Sequence, residues 1–433
     1  MNPLPPVKTK KTIKLGCIAD DFTGATDLAN NLVRAGMRVS QAIGIPQDGL
    51  EREVDAIVVA LKTRSVPAAD AIAQSLAALA WLRDQGAEQI YFKYCSTFDS
   101  TAQGNIGPVA QALMQALGTS FCIATPAFPD NQRTVFNGHL FVGDVLLSDS
   151  GMRHHPLTPM TDANLVRVLQ AQSTCPIGLI DYKTVAAGET AIRARISQFQ
   201  TEGVGMAIVD AVSNADLMRL GPALRGAPLV TGGSGVAIGL PQNWGLMPNP
   251  QTAQLAPPIG RCAVVSGSCS QATNAQVAHF KALGLPALAL DAGRLAAGAA
   301  VVQEALAWAQ AQNPAQPVLI YSTADPASVQ AVQSQLGVER AGAMLEDALA
   351  QIACGLVAQG VRQLIVAGGE TSGACTQALG IKHMQIGPQI DPGVPWCYAF
   401  TSEKPIHLAL KSGNFGTEDF MSKAFLQLAR QLL

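Results

Sequence analysis

Gly16 to Ala29 reads Gly-Cys-Ile-Ala-Asp-Asp-Phe-Thr-Gly-Ala-Thr-Asp-Leu-Ala, and it constrains the fold more than any other stretch. The apolar run from Ile13 to Ala19 has the length of a buried strand. It stops at two adjacent carboxylates, Asp20 and Asp21. At Thr23-Gly24 a helical pattern opens and runs through Asp27, Leu28, Leu32 and Val33. Strand, sharp turn and helix form the building unit of a parallel α/β sheet. Ligands collect at the carboxyl ends of such strands, where Asp20 and Asp21 fall. Two neighbouring acids repel, so a metal, a basic side chain, a shared proton or substrate hydroxyls must compensate. Asp21 or Thr23 taken singly could be a plain helix N-cap. Two acids followed by Thr-Gly at a strand end favour a functional site.

A chain of 433 residues exceeds one ordinary domain. Apolar residues make up 48% and charged residues 14%, which points to a large core of close Ala and Gly contacts and leaves room for an apolar homo-oligomer surface. The net charge is −2 with no long basic run, so nucleic acid is not expected as a partner. The basic N-terminus (Lys8, Lys10, Lys11, Lys14) has no signal-type apolar core behind it and reads as a frayed tail. No apolar stretch is long enough to span a bilayer, so no membrane partner is expected. The cysteines stand singly, without a C-x-x-C. They read as free thiols of a cytoplasmic protein, not as a disulfide framework or zinc cluster. His154-His155 reads as a loop.

Strands are predicted at 38–45, 54–61, 89–94, 121–125, 177–181, 206–210 and 228–230, with helices near 68–83 and 107–117. Polar groups gather where these strands end. Arg64 follows one strand, and an arginine there can clamp a carboxylate or phosphate; a solvent-facing loop charge is the alternative. Lys93 leads into Cys95-Ser96-Thr97-Phe98-Asp99-Ser100-Thr101, a hydroxyl-rich loop suited to a polyol or sugar acid. Thr231-Gly232-Gly233-Ser234-Gly235 lets backbone approach a ligand closely but misses the dinucleotide fingerprint. Residues 133–142 carry an Asn137-Gly138 hairpin signal, an arm or a flap inserted in the first domain.

The proline-rich segment 246–258 reads as a linker between a domain at 1–245 and another at 259–433. The fold class is therefore α/β, with two domains, each a mainly parallel sheet flanked by helices. Three loops in the second half sit at predicted strand ends. They are Ser266-Gly267-Ser268, Gly368-Gly369-Glu370-Thr371 and Ser412-Gly413-Asn414. Glycine loops that open helices offer backbone N–H groups and the positive end of a helix dipole to phosphate. Walker and protein-kinase motifs are missing.

Ile18 to Asp27, Lys93 to Thr101, Ile390 to Trp396 and Leu410 to Gly416 together resemble the four-carbon acid sugar kinase family, over nearly the whole chain. The resemblance implies ATP-dependent transfer to the 4-hydroxyl of a four-carbon sugar acid, an N-terminal substrate domain and a C-terminal nucleotide domain. Within the family the motifs are most similar to members acting on 3-oxo acids; members acting on D-threonate or D-erythronate are the alternative. Ser266, Gly368 to Thr371 and Gly413 match the family's nucleotide-contacting positions. On this reading Arg64 or Lys93 holds the substrate carboxylate. Asp20, Asp99, Ser96, Thr97, Ser100 and the Gly233 loop meet its hydroxyls. Asp21 takes the 4-hydroxyl proton, and Glu370 helps hold Mg2+ on the phosphates. Sites on separate domains would require closure to exclude water. An NAD-dependent sugar-acid oxidoreductase and a non-catalytic sugar-acid sensor are the readings from other classes.

Overall fold

The computed structural model describes residues 13–46, 54–155, 158–322, 337–401 and 404–430. They divide into two compact units. The first comprises Met1–Asp20 with Ala35–Pro248, and the second Asp21–Arg34 with Asn249–Leu433.

The first unit holds β1 (Ile13–Ala19), β2 (Val39–Ile43), β3 (Ala56–Ala60), β4 (Ala87–Lys93), β5 (Cys122–Thr125), β9 (Ile177–Ile180), β10 (Met206–Val209) and β11 (Leu229–Gly232). They pair in the order β2-β3-β1-β4-β11-β5-β10-β9, every pair parallel. β1 and β3 are almost wholly buried, as expected of central strands covered by helices on both faces. A Cβ on Gly16 would lie 2.9 Å from that of Ala87, so glycine permits the close approach of β1 and β4. The helices of this unit are α2 (Ala68–Asp84), α3 (Ile106–Leu117), α4 (Leu165–Gln170), α5 (Tyr182–Ala186), α6 (Glu189–Glu202) and α7 (Asn214–Ala223).

The expected hairpin is present and gains a third strand: β6 (Arg133–Phe136), β7 (His139–Val142) and β8 (Val145–Leu146). Asn137 and Gly138 have φ of 48° and 72°, the left-handed pair that a tight hairpin turn requires. The buried Asp210 carboxylate accepts the N–H groups of Asn137 (2.7 Å), Gly138 (2.9 Å) and Tyr182 (2.9 Å), fixing the turn to the end of β10. Burial raises the Asp210 pKa against these hydrogen bonds. Of the basic N-terminal residues, Lys8, Lys10 and Lys11 lie outside the described residues. Lys14 is no tail residue: it belongs to β1 and bridges Asp55 at 2.8 Å.

The second unit contains β12 (Arg261–Ser266), β13 (Ala287–Ala289), β14 (Val318–Tyr321), β15 (Val361–Ala367), β16 (His383–Asp391), β17 (Val394–Phe400) and β18 (Pro405–Lys411). The order is β13-β14-β12-β15-β18-β17-β16, parallel through β18 and antiparallel beyond it. Its helices are α1 (Phe22–Arg34), α8 (Gln271–Ala282), α9 (Ala292–Ala296), α10 (Val301–Ala311), α11 (Val338–Ala358), α12 (Gly369–Ala378) and α13 (Phe420–Arg430). Trp396, Phe280, Phe420 and Leu428 fill one core cluster, with the Trp396 indole N–H donating to the Ala424 carbonyl at 2.9 Å. One expectation needs correcting. Arg340–Ala358 is long and apolar enough to cross a membrane. Its Leu349, Ile352, Ala353 and Leu356 are buried within the protein, as befits a helix that packs one apolar face on a sheet.

α1 belongs to the second unit although it follows β1 directly in sequence. The Phe22 ring occupies the space beside Gly373 of α12, where an added Cβ would lie 2.8 Å from it. Asn30 donates to the Gln389 side chain at 2.7 Å, and the Thr252 hydroxyl donates to the Val33 carbonyl at 3.0 Å.

Candidate active site

The two adjacent acids fall to different units. Asp20 directly follows β1 in the first unit and is 6% exposed. Arg64 reaches it from 44 residues away with a two-pronged grip, Nε to Oδ2 and Nη2 to Oδ1, both at 2.9 Å. Such a fork matches a carboxylate in both geometry and charge. Asn105 fixes the loop that carries Arg64 by donating to the carbonyls of Thr63 (2.7 Å), Arg64 (3.3 Å) and Val66 (2.8 Å).

Lys93 ends β4, next to β1 in the sheet, and its backbone carbonyl accepts the Asp20 N–H at 3.1 Å. The Lys93 side chain is 3% exposed, and among the described residues its ammonium has no hydrogen-bond or ion-pair partner. The loop that follows is held from within. Phe98 is fully buried with φ of 54° and packs edge-on against Tyr94 at 5.4 Å. The Thr97 hydroxyl donates to Asp99 at 2.6 Å and lies 2.8 Å from the Cys95 sulfur. Burial pushes the Cys95 thiol up to about 11, so it stays protonated near neutrality. Ser100 accepts from Gln172 at 2.6 Å. Ser96 is buried and, among the described residues, its hydroxyl has no partner. Gly233 lies against Pro126, where a Cβ would be 2.8 Å from the carbonyl oxygen. Its own backbone is engaged too: its N–H donates to Thr125 and its carbonyl accepts from the Tyr91 hydroxyl.

Asp21 directly precedes α1 in the second unit. Its Oδ1 accepts the Gly24 N–H at 2.7 Å, and the Thr23 hydroxyl donates to its Oδ2 at 3.4 Å. This is the capping geometry anticipated for either residue alone.

The three glycine loops of the second half lie at the carboxyl ends of β12, β15 and β18, which are neighbours in the sheet. The Gly267 N–H donates to the Ala367 carbonyl at 2.9 Å, and the Gly368 N–H to the Lys411 carbonyl at 2.8 Å. A Cβ on Gly267 would meet the Thr371 hydroxyl at 2.2 Å, and one on Gly413 the Ser268 hydroxyl at 2.5 Å. Loops about 100 and 45 residues apart in sequence are thus pressed together, and glycine is what lets them meet. α12 starts at Gly369, and its first N–H groups lack intrahelical acceptors. Ser266 and Thr371 are buried, whereas Gly369, Glu370 and Asn414 are exposed.

Sequence reasoning passed over Lys411. It is fully buried, and its ammonium lies among the carbonyls of the 412–415 loop. A lysine directly before Ser-Gly-Asn was the available signal. Among the described residues no three His, Cys, Asp or Glu side chains gather as a metal site. Glu370, in the first turn of α12, is the acid these loops carry.

Two family models match the chain. A sugar-binding N-terminal domain spans residues 15–240, and a nucleotide-binding C-terminal domain spans 263–421. A 3-oxo-tetronate kinase of Pseudomonas fluorescens is 58% identical over 96% of this chain and 97% of its own length. One from Salmonella typhimurium is 48% identical over 95% of this chain and 98% of its own. Among solved structures, a Salmonella typhimurium protein described as a candidate tRNA synthase superposes with a TM-score of 0.84 at 47% identity, covering 95% of this chain and 98% of that one. A Haemophilus influenzae protein superposes at 0.76 with 44% identity, covering 96% and 99%.

Proposed function

Since the chain belongs to the four-carbon acid sugar kinase family, we infer that it is an ATP-dependent kinase that phosphorylates 3-oxo-tetronate on its 4-hydroxyl. The observation that carries this reading is the near-full-length match to relatives named 3-oxo-tetronate kinase. The arrangement of acids and glycine loops supports it independently.

In the first unit, Lys93 is the cation for the substrate carboxylate. An ammonium on a residue only 3% exposed, with no partner among the described residues, gains most from an anion that enters. Arg64 is already committed to Asp20, so its role is to hold that carboxylate in place for substrate hydroxyls. Ser96, Thr97, Asp99 and Ser100 lie on the loop after Lys93, and Gly233 follows Gly232, whose carbonyl accepts the Tyr94 N–H. In the second unit, Ser266, Gly267, Ser268, Gly368, Gly369, Thr371, Ser412, Gly413 and Asn414 cradle the phosphates. Backbone N–H groups and the start of α12 supply positive potential there.

Asp21 accepts the 4-hydroxyl proton as that oxygen attacks the γ-phosphorus and ADP leaves. The Gly24 N–H and the Thr23 hydroxyl hold its carboxylate in place at the start of α1. Phosphoryl transfer needs positioning and charge stabilisation more than covalent help. Mg2+ in such sites is held mainly by the phosphates with one or two carboxylates. Glu370, in the first turn of α12, fits that pattern, directly or through water. When bound, the ion would neutralise charge on the transferring group.

ADP release with 3-oxo-tetronate, D-threonate and D-erythronate as separate acceptors tests the reading. The 3-oxo acid should give the highest kcat/KM. Faster turnover of either reduced acid would move the assignment to that substrate, and ADP release from none of them would end it.

A further inference from the structure

Ser270, the N-cap of α8, and Thr273 and Gln276 within it stand three residues apart, so they form one polar stripe along the helix. All of it faces the 412–417 loop. The hydroxyls of Ser270 and Thr273 donate to the Gly413 carbonyl at 2.5 and 2.9 Å. The Gln276 amide donates to the carbonyls of Phe415 (3.1 Å), Gly416 (3.0 Å) and Thr417 (3.1 Å). The Lys411 ammonium completes the anchorage. It lies 2.9 Å from the Thr273 hydroxyl and 3.0, 3.0 and 3.1 Å from the carbonyls of Ser412, Gly413 and Phe415. Four neutral oxygens around a buried monovalent charge make the kind of site that a potassium or ammonium ion would occupy. With the carbonyls turned inward, the N–H groups of Gly413 and Asn414 have no partner among the described residues. Those N–H groups are donors left over for an anion.

We propose that Lys411 is a positioning residue for the nucleotide: a tethered monovalent cation that gathers the carbonyls of the 412–415 loop and so presents the N–H groups of Gly413 and Asn414 to a phosphate oxygen. The proposal rests on the second unit being the nucleotide domain. Burial lowers the Lys411 pKa to about 7, whereas the surrounding oxygens favour its charged form. The cation is therefore held by the loop as much as the loop is held by the cation.

The test is chemical rescue on the full-length protein. Lys411→Ala should weaken ADP binding by calorimetry, and raise KM for ATP, by about tenfold or more. The KM for 3-oxo-tetronate should stay near its wild-type value. Ammonium or propylamine, compared with choline at equal ionic strength, should restore most of the loss. Lys411→Met fills the space without the charge and should be weakened but not restored. Should Lys411→Ala fail to fold, Thr273→Val decides, with ADP binding expected to fall severalfold and the acid unaffected. Unchanged ADP binding, equal weakening of both substrates, or a defect that no amine relieves would overturn the role. Wild-type protein that binds no ADP would instead overturn the nucleotide reading beneath it.

Discussion

Replacing Gly373 with alanine tests how α1 is seated in the second unit. The new Cβ would lie 2.8 Å from Cδ2 and 3.0 Å from Cε2 of the Phe22 ring, against a comfortable carbon–carbon separation of about 3.5–4.0 Å. Phe22 is 6% exposed, so the ring has little room to swing, and α1 must move off α12 by roughly 0.7 Å or more. Overpacking of this kind costs about 1–3 kcal/mol. Alanine in place of a helical glycine returns about 0.5–1 kcal/mol, which leaves a net loss of roughly 0–2.5 kcal/mol in urea denaturation. Activity should suffer more. Phe22 adjoins Asp21, and a misplacement near 1 Å at the reacting groups can cost ~100-fold, or about 2.7 kcal/mol. Steady-state kinetics should therefore show kcat falling by one to two orders of magnitude, with KM for ATP changed less. The double variant Phe22→Leu with Gly373→Ala should recover much of the loss, because leucine vacates the ring's space. Wild-type kcat in a folded Gly373→Ala variant would refute the link between this contact and the placement of Asp21.

Asp21→Asn keeps a side-chain oxygen for the Gly24 N–H, so its melting temperature should stay near wild type. Its kcat should drop by ~10²–10⁴-fold if Asp21 is the base; near-normal turnover would remove it from that role. Asp55 should contribute to acid stability. Burial raises its pKa, but hydrogen bonds from Arg38 and Lys14 outweigh that and bring it to about 2. A depressed carboxylate stabilises the fold above its unfolded pKa near 4, and that contribution is lost as pH falls toward 2. Its partners are 53% and 29% exposed, so after screening Asp55→Asn should cost about 1–2 kcal/mol at neutral pH and flatten the acid limb of a stability profile. Trp396→Ala should cost about 3–5 kcal/mol by denaturation, because the indole is fully buried and loses its bond to Ala424.

Much of this fold was legible because its signals are local. The apolar run of β1 and its neighbours could only be buried strands, and Asn137-Gly138 could only be a tight turn. β16 and β17 escaped notice because Gly387, Pro388 and Pro395 interrupt the pattern that marks a strand. The membership of α1 in the second unit could not be read, since a strand followed by a helix looks the same whichever core the helix joins. The glycine loops could be singled out one by one, but that they abut depends on β12, β15 and β18 being sheet neighbours. The pairing of Asp20 with Arg64 spans 44 residues and needs tertiary geometry. Lys411 shows the same limit: sequence places a lysine at a strand end but does not say that its ammonium turns into the protein.

The most direct measurement is the phosphorus NMR spectrum of ATP, Mg2+ and 3-oxo-tetronate incubated with the protein. One new phosphomonoester signal should grow in step with ADP and show coupling to the two protons of the C4 methylene. ADP accompanied by inorganic phosphate alone, or a phosphoester lacking that coupling, would contradict transfer to the 4-hydroxyl.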